Sequence, residues 1–121
     1  MKLNHIDLPV TDIAGARSFF ERLFGFHCIL SRRDGLTVLL DEADFALTLS
    51  PLPQGESLRY PSGFHVGFNL PDEASFNDAY TRLIDAGIVI VREKSLLGGA
   101  PTFQCEAPGP LIVEFAWRPA D

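Results

Sequence analysis

Alternating apolar and polar residues predict a strand at the start of each half of the chain. In the first, Ile6, Leu8 and Val10 share one side, and the residues between them, beginning with His5, share the other. The stretch 65–70 repeats this alternation. Each strand therefore has one apolar face, which another element must cover.

Helical periodicity follows each of these strands. Asp12 and Asp72 are suitable N-caps, and Gly25 and Gly87 are typical of helix ends. The apolar stripes between them are Ile13, Ala16, Phe20, Leu23 and Phe24 in the first helix and Phe76, Ala79, Tyr80, Leu83 and Ile84 in the second. These stripes predict that each helix covers the apolar face of its own sheet.

The later apolar runs predict three more strands in each half, which gives an α+β fold of two β-α-β-β-β modules. The predicted strands are 26–31, 36–40 and 45–49 in the first half and 88–91, 102–106 and 111–116 in the second. Proline, glycine and serine mark the segment between the halves as a connector. We expect one domain over residues 1–121, with module one at 1–50, the connector at 51–63 and module two at 64–121.

Composition narrows the range of partners. The chain of 121 residues is too short for two independent cores, and its net charge of -6 without a basic cluster disfavours nucleic acid and anionic membranes. It has no apolar run of about 18 residues, so we expect no membrane span and a cytoplasmic protein.

Cys28 and Cys105 lack a metal-binding spacing, and we expect both to be buried, reduced thiols.

The two modules carry a histidine at the same place. His65 lies sixty positions after His5, and the same offset carries Asp12 onto Asp72. A single histidine on a strand face is more often a solvated or hydrogen-bonded side chain than a metal ligand. Two of the chain's three histidines at equivalent places in a repeat instead favour one shared site.

The last strand adds a carboxylate to the side on which the histidines lie. The apolar residues of 111–116 face the helix, so Glu114 projects to the opposite side, and Thr48 is its counterpart in module one. Two imidazoles and a carboxylate suit a divalent ion such as Fe, Mn, Zn or Ni and leave positions open for substrate. We therefore predict His5, His65 and Glu114 as metal ligands, with Glu114 also as the catalytic residue.

Other polar residues share the same side of their strands. Arg118 has the parity of Glu114 and is suited to an anionic substrate group. The candidates for binding a small-molecule substrate are Asp7, Thr48, Asn69, Gln104 and Arg118.

Over essentially its whole length the chain resembles the vicinal oxygen chelate superfamily. That family includes glyoxalase I, methylmalonyl-CoA epimerase, extradiol dioxygenases, fosfomycin-resistance transferases and bleomycin-resistance proteins. The segments that carry the resemblance are Leu3-Asn-His-Ile-Asp-Leu-Pro-Val, Gly63-Phe-His-Val-Gly-Phe and Pro110-Leu-Ile-Val-Glu-Phe. The resemblance implies a cup-shaped mixed sheet with helices on its outer face. It also implies that His5, His65 and Glu114 occupy the first, third and fourth ligand positions.

The second ligand position departs from the family pattern, because Thr48 is a poor ligand for a divalent ion. The remaining three ligands resemble those of the dioxygenases and fosfomycin transferases, yet His27 has no evident route to the cup, and 95–102 lacks a potassium-binding loop. Lyase, dioxygenase and transferase activities thus stay open. The alternative is a metal-free, drug-sequestering protein of the bleomycin-resistance type.

Short members of this family commonly complete each cup with a second chain. The resemblance therefore implies a homodimer in which one chain supplies His5 and the other supplies His65 and Glu114. The connector 51–63 is long enough for either a shared or an unshared site.

Overall fold

The computed structural model describes residues 1–118. The described residues form two compact units, one of 1–60 with 108–110 and one of 61–107 with 111–118. Each unit contains one helix and one four-stranded mixed sheet. The predicted α+β fold with two β-α-β-β-β modules is confirmed.

The first unit follows the predicted element order. Its elements are β1 (His5–Pro9), α1 (Ile13–Phe24), β2 (His27–Ser31), β3 (Thr37–Leu40) and β4 (Ala46–Ser50). The strand order is β1-β4-β3-β2, with β1 parallel to β4 and the other neighbours antiparallel. The predicted strand boundaries differ from these by no more than one residue.

Capping fixes both ends of α1. The Asp12 carboxylate accepts a hydrogen bond from the Gly15 backbone N–H at 2.8 Å, and Gly25 closes the helix in the left-handed conformation with φ 71°. The helix packs on β3 and β4 through Ala16, Phe19 and Phe20. The sheet residues buried in this unit are Leu8, Val10, Thr37, Leu39, Leu47 and Leu49. The apolar face of β1 therefore lies in the core, as its alternation predicts.

The second unit repeats this plan with longer strands. Its elements are β5 (Val66–Leu70), α2 (Glu73–Asp85), β6 (Val89–Leu97), β7 (Ala100–Ala107) and β8 (Leu111–Trp117). The strand order is β5-β8-β7-β6, and β5 is parallel to β8. Asp72 caps α2 by accepting from the Ser75 backbone N–H at 2.8 Å.

Aromatic rings form the core of the second unit. The rings of Phe103 and Phe115 stack with centroids 4.9 Å apart, and Phe76 of α2 meets Phe103 at 5.1 Å. Leu83 is also fully buried, whereas Ile84 is 49% exposed. The prediction that Ile84 belongs to the buried apolar stripe of α2 was therefore wrong.

The β6–β7 hairpin is longer than the sequence pattern predicts. Strands were expected at 88–91 and 102–106, but β6 runs to Leu97, and Gly98 and Gly99 form the turn with φ of 59° and 80°. Residues 91–97 are all exposed, because β6 is the edge strand of its sheet. A strand exposed on both faces needs no apolar alternation, so the periodicity gave no signal.

The cysteines agree only in part with expectation. Both are free thiols, but only Cys105 is buried, and burial raises its pKa to about 12. Cys28 is half-buried because β2 lies at the sheet edge.

No helix within residues 1–118 is long and apolar enough to cross a membrane.

Candidate functional site

The strand registers show that Thr48 and Glu114 occupy equivalent places. In the first unit Asp7 of β1 pairs with Thr48 of β4, and in the second Gly67 of β5 pairs with Glu114 of β8. Gly67 lies sixty positions after Asp7, so the two pairs correspond in the repeat. The predicted equivalence of Thr48 and Glu114 is confirmed.

Two polar side chains of the second unit contact Glu114. The Glu114 Oε2 atom lies 3.5 Å from Nε2 of His65, and its Oε1 atom accepts a hydrogen bond from Nε2 of Gln104 at 3.1 Å. Glu114 is the more enclosed of the ion-pair partners, with its side chain 22% exposed against 37% for His65. One carboxylate oxygen is thus held by an amide, while the other faces the imidazole.

A backbone carbonyl sets the orientation of His65. Its Nδ1 lies 2.8 Å from the carbonyl oxygen of Gly63, which can only accept a hydrogen bond. Nδ1 therefore carries a proton, and Nε2 is the ring nitrogen that faces Glu114. His5 is arranged in the same way, with Nδ1 2.7 Å from Oδ1 of Asn4. This is the arrangement in which histidines bind metals through Nε2.

The His65–Glu114 pair fits a divalent ion. A distance of 3.5 Å is too long for a good hydrogen bond. It is close to the separation of about 3.4 Å expected between two atoms that each lie about 2.1 Å from one tetrahedral ion. Gly67 also lets β5 lie close to Glu114 on β8, because a Cβ there would lie 3.2 Å from the Glu114 backbone oxygen. An imidazole and a carboxylate together suit Zn, Fe, Mn or Ni.

The proposed third ligand, His5, lies in the other unit. Within residues 1–118, no group of three or more His, Cys, Asp or Glu side chains is close enough together to hold a metal ion. The structure thus brings together two of the three predicted ligands, His65 and Glu114. The three-ligand site stays a prediction.

The candidate substrate-binding residues occupy different surroundings. Asp7 accepts a hydrogen bond from the Ser50 hydroxyl, and Thr48 is half-buried beside it. Asn69 is exposed on β5, and Arg118 is exposed just beyond the end of β8. Gln104 donates a hydrogen bond to Glu114, which is itself a predicted metal ligand.

The sequence pattern missed a cation two strands from Glu114. Arg92 of β6 is the register partner of Gln104, which is in turn the partner of Glu114, and the β6–β7 register shifts on both sides of Arg92. Arg92 therefore lies two strands, about 10 Å, from Glu114. The sequence pattern did not indicate Arg92 because the strand was expected to end at Val91.

A second missed feature is the connector, whose Leu58 and Tyr60 are half-buried.

The sequence profile of the Glyoxalase/Bleomycin resistance protein/Dioxygenase superfamily matches residues 2–115, and the chain belongs to that superfamily. This is the vicinal oxygen chelate class that the paired modules resemble. A comparison with curated proteins gave no match.

Solved structures with the same fold cover nearly the whole chain. A possible glyoxalase from Bacillus cereus is 34% identical, with a TM-score of 0.83, 96% of this chain covered and 98% of that one. Lactoylglutathione lyase from Agrobacterium tumefaciens is 17% identical (TM-score 0.75, coverage 96% and 92%). The fosfomycin resistance protein FosX from Listeria monocytogenes is 19% identical (TM-score 0.79, coverage 98% and 93%). The last two similarities support the fold alone.

Proposed function

We propose that this protein is a metal-dependent enzyme that acts on a small oxygen-bearing substrate. The observation that carries the proposal is the pairing of His65 Nε2 with Glu114 Oε2 at 3.5 Å, with each side chain held from behind by a hydrogen bond. Such supporting hydrogen bonds orient the side chains that bind metals. Membership of the superfamily supports the same conclusion.

In this proposal His5, His65 and Glu114 hold one divalent ion. When bound, the ion supplies Lewis-acid chemistry at a substrate oxygen. The Gly63 carbonyl keeps the proton of His65 on Nδ1, and Gln104 keeps one oxygen of Glu114 occupied. The protein groups thereby fix which atoms are available to the ion.

Charge on the polar face gives the substrate its orientation. Arg92 lies in the row of register partners that contains Gln104 and Glu114, and Arg118 follows the end of β8. Either guanidinium can hold a carboxylate or phosphonate group of a substrate by paired hydrogen bonds. An anionic substrate with a second oxygen near the ion is therefore the class that the second unit supports.

Thr48 leaves coordination positions open for the substrate. A hydroxyl at the place equivalent to Glu114 leaves only three protein ligands, so positions remain for two substrate oxygens. This arrangement is compatible with lyase, dioxygenase or transferase chemistry. Thr48→Glu should tighten binding of divalent metal, because it adds a carboxylate as a fourth protein ligand. An unchanged or weaker affinity would mean that Thr48 does not face the ion.

Turnover tests the proposal directly. Chelator-treated protein is reloaded separately with Fe(II), Mn(II), Zn(II) and Ni(II) and offered a glutathione hemithioacetal, a catechol with oxygen, and an epoxide with thiol or water. We expect one reaction that depends on metal and that Glu114→Gln abolishes. Tight binding of these compounds to metal-free protein, with no turnover under any metal, would instead establish the alternative of a metal-free sequestering protein.

The proposal includes a homodimer with shared sites, in which His5 comes from one chain and His65 with Glu114 from the other. His5→Ala and Glu114→Ala proteins, unfolded and refolded together, then form a heterodimer with one intact site and one doubly damaged site. Metal binding should return in that mixture. Sites within single chains would each keep one lesion, so no recovery in verified heterodimers would refute the shared site.

A further inference from the structure

The connector of the first unit forms one wall of a pocket of about 440 Å³. The opposite wall is the end of β1 and β4, where Pro9 and Ser50 lie. Tyr60 ties the connector to the sheet by donating a hydrogen bond from its hydroxyl to the Pro9 carbonyl. The volume falls in the range of small-molecule sites. A segment with the composition of a simple linker is therefore a structured part of a binding surface.

The body of the pocket is apolar and stiff. Its apolar lining residues are Pro9, Pro51, Leu52, Pro53 and Leu58. Three of these five are prolines, whose fixed φ limits how far the wall can collapse when the pocket is empty. A wall that is already ordered costs little further entropy when a ligand binds. An aromatic or aliphatic group of moderate size fits this lining.

The polar groups of the pocket are mostly hydrogen-bond acceptors. Ser50 already donates its hydroxyl hydrogen to Asp7, and Tyr60 donates its own to a carbonyl. Burial raises the pKa of Tyr60, so this hydroxyl stays protonated and keeps that bond. Asp7 and Glu56 add two carboxylates to the lining, against the single cation of Arg59. The charge inside the pocket is therefore negative, like that of the chain as a whole.

From this lining we infer that the pocket binds a small organic cation, an amine carried on an apolar body, with Asp7 and Glu56 meeting the ammonium group. Two carboxylates against one guanidinium in the lining favour a cationic, N–H-bearing ligand over an anion. The inference goes beyond the proposed metal chemistry, since none of the three proposed metal ligands lines this pocket.

Three matched probes test the charge preference in chelator-treated protein. These are 2-phenylethylamine as the cation, 2-phenylethanol as the neutral analogue and 3-phenylpropionate as the anion. Binding is read from two-dimensional amide NMR spectra, in which the backbone signals of Ser50, Leu52 and residues 57–60 report on the pocket. We expect the amine to shift these signals and to bind roughly tenfold more tightly than the alcohol, with the anion weakest.

Variants separate local recognition from net charge. Asp7→Asn and Glu56→Gln should each weaken amine binding by roughly fivefold to tenfold, whereas Arg59→Gln should strengthen it or leave it unchanged. Glu42→Gln is the matched control, because Glu42 is exposed in the β3–β4 turn outside the pocket and its replacement removes the same charge. The asparagine of the first variant still offers an amide oxygen to Ser50, so the local fold should persist.

Several outcomes would overturn the inference. One is preferential binding of the anion with loss in Arg59→Gln, and another is equal weakening in Glu42→Gln and Asp7→Asn. A third is the absence of shifts from every probe at millimolar concentration. None of these results bears on whether metal binds His65 and Glu114, so failure of the pocket and failure of the metal site are distinguishable.

Discussion

Removing the amide behind Glu114 should weaken metal binding without unfolding the protein. Gln104 Nε2 donates to Glu114 Oε1 at 3.1 Å, which leaves Oε2 facing His65. Gln104→Met keeps the length of the side chain and removes the amide that donates this hydrogen bond. Without it the carboxylate can rotate, and metal binding must then overcome the entropy of fixing it in the binding position.

The size of this effect follows from the position of the hydrogen bond. Loss of a partner that orients a metal ligand typically lowers affinity about 10–100-fold, which is about 1.4–2.7 kcal/mol. The free energy of unfolding should change by less than about 1 kcal/mol, because both side chains are half-buried and water can replace the amide. A positioning role therefore predicts a large change in affinity and a small change in stability.

Titration calorimetry with Mn(II) or Zn(II) measures the affinity, and urea unfolding measures the stability. Gln54→Met is the matched control, since Gln54 is exposed in the connector outside the pocket lining. Adding Gln104→Met to Glu114→Ala should cause no further loss, because Gln104 acts through Glu114. Unchanged affinity in Gln104→Met, or an additive loss in the double variant, would refute this reasoning.

Three further predictions concern the fold. Phe103→Ala should lower the free energy of unfolding by about 3–5 kcal/mol, since the ring is fully buried and stacked, and a loss under about 1 kcal/mol in urea unfolding would contradict that packing. Burial raises the Cys105 pKa from its ordinary 9.0 to about 12, so stability is full below pH 9 and falls by about 1.4 kcal/mol per pH unit above it. Cys105→Ala should reduce this loss of stability with rising pH, measured from unfolding curves at alkaline pH, and Cys28→Ala should not. The same pH dependence of stability in both variants would contradict this prediction. Gly15→Ala should lower the melting temperature, although alanine is a better helix former than glycine, because a Cβ there would lie 2.2 Å from an Asp12 carboxylate oxygen. A raised melting temperature would exclude this clash.

Local patterns predicted the fold well wherever one face of an element is buried. Asp12 and Asp72 cap their helices as expected, and the alternation on β1 and β8 gave the correct face for Glu114. The repeat added information that no single strand contains, because the matching order of strands in the two modules predicted the equivalence of Thr48 and Glu114, each on the last strand of its module.

The features that sequence patterns missed lie where burial is weak or contacts are distant. The edge strand β6 carries no alternation, so its length and the position of Arg92 were not predicted. The hydrogen bond from Gln104 to Glu114 depends on the register of β7 against β8, which local periodicity does not specify. The pocket formed by the connector was missed because proline and glycine mark a turn without indicating what the chain packs against.

The most direct test of the proposed metal site is the metal content of the purified protein and two variants. Protein prepared without chelator or nickel resin is analysed for elements, alongside His65→Ala and Glu114→Ala, with circular dichroism to confirm folding. We expect a stoichiometric divalent metal in the parent protein and its loss from both variants. Full retention of metal by both folded variants, or a metal-free parent that stays metal-free after incubation with Fe(II), Mn(II), Zn(II) and Ni(II), would contradict this expectation.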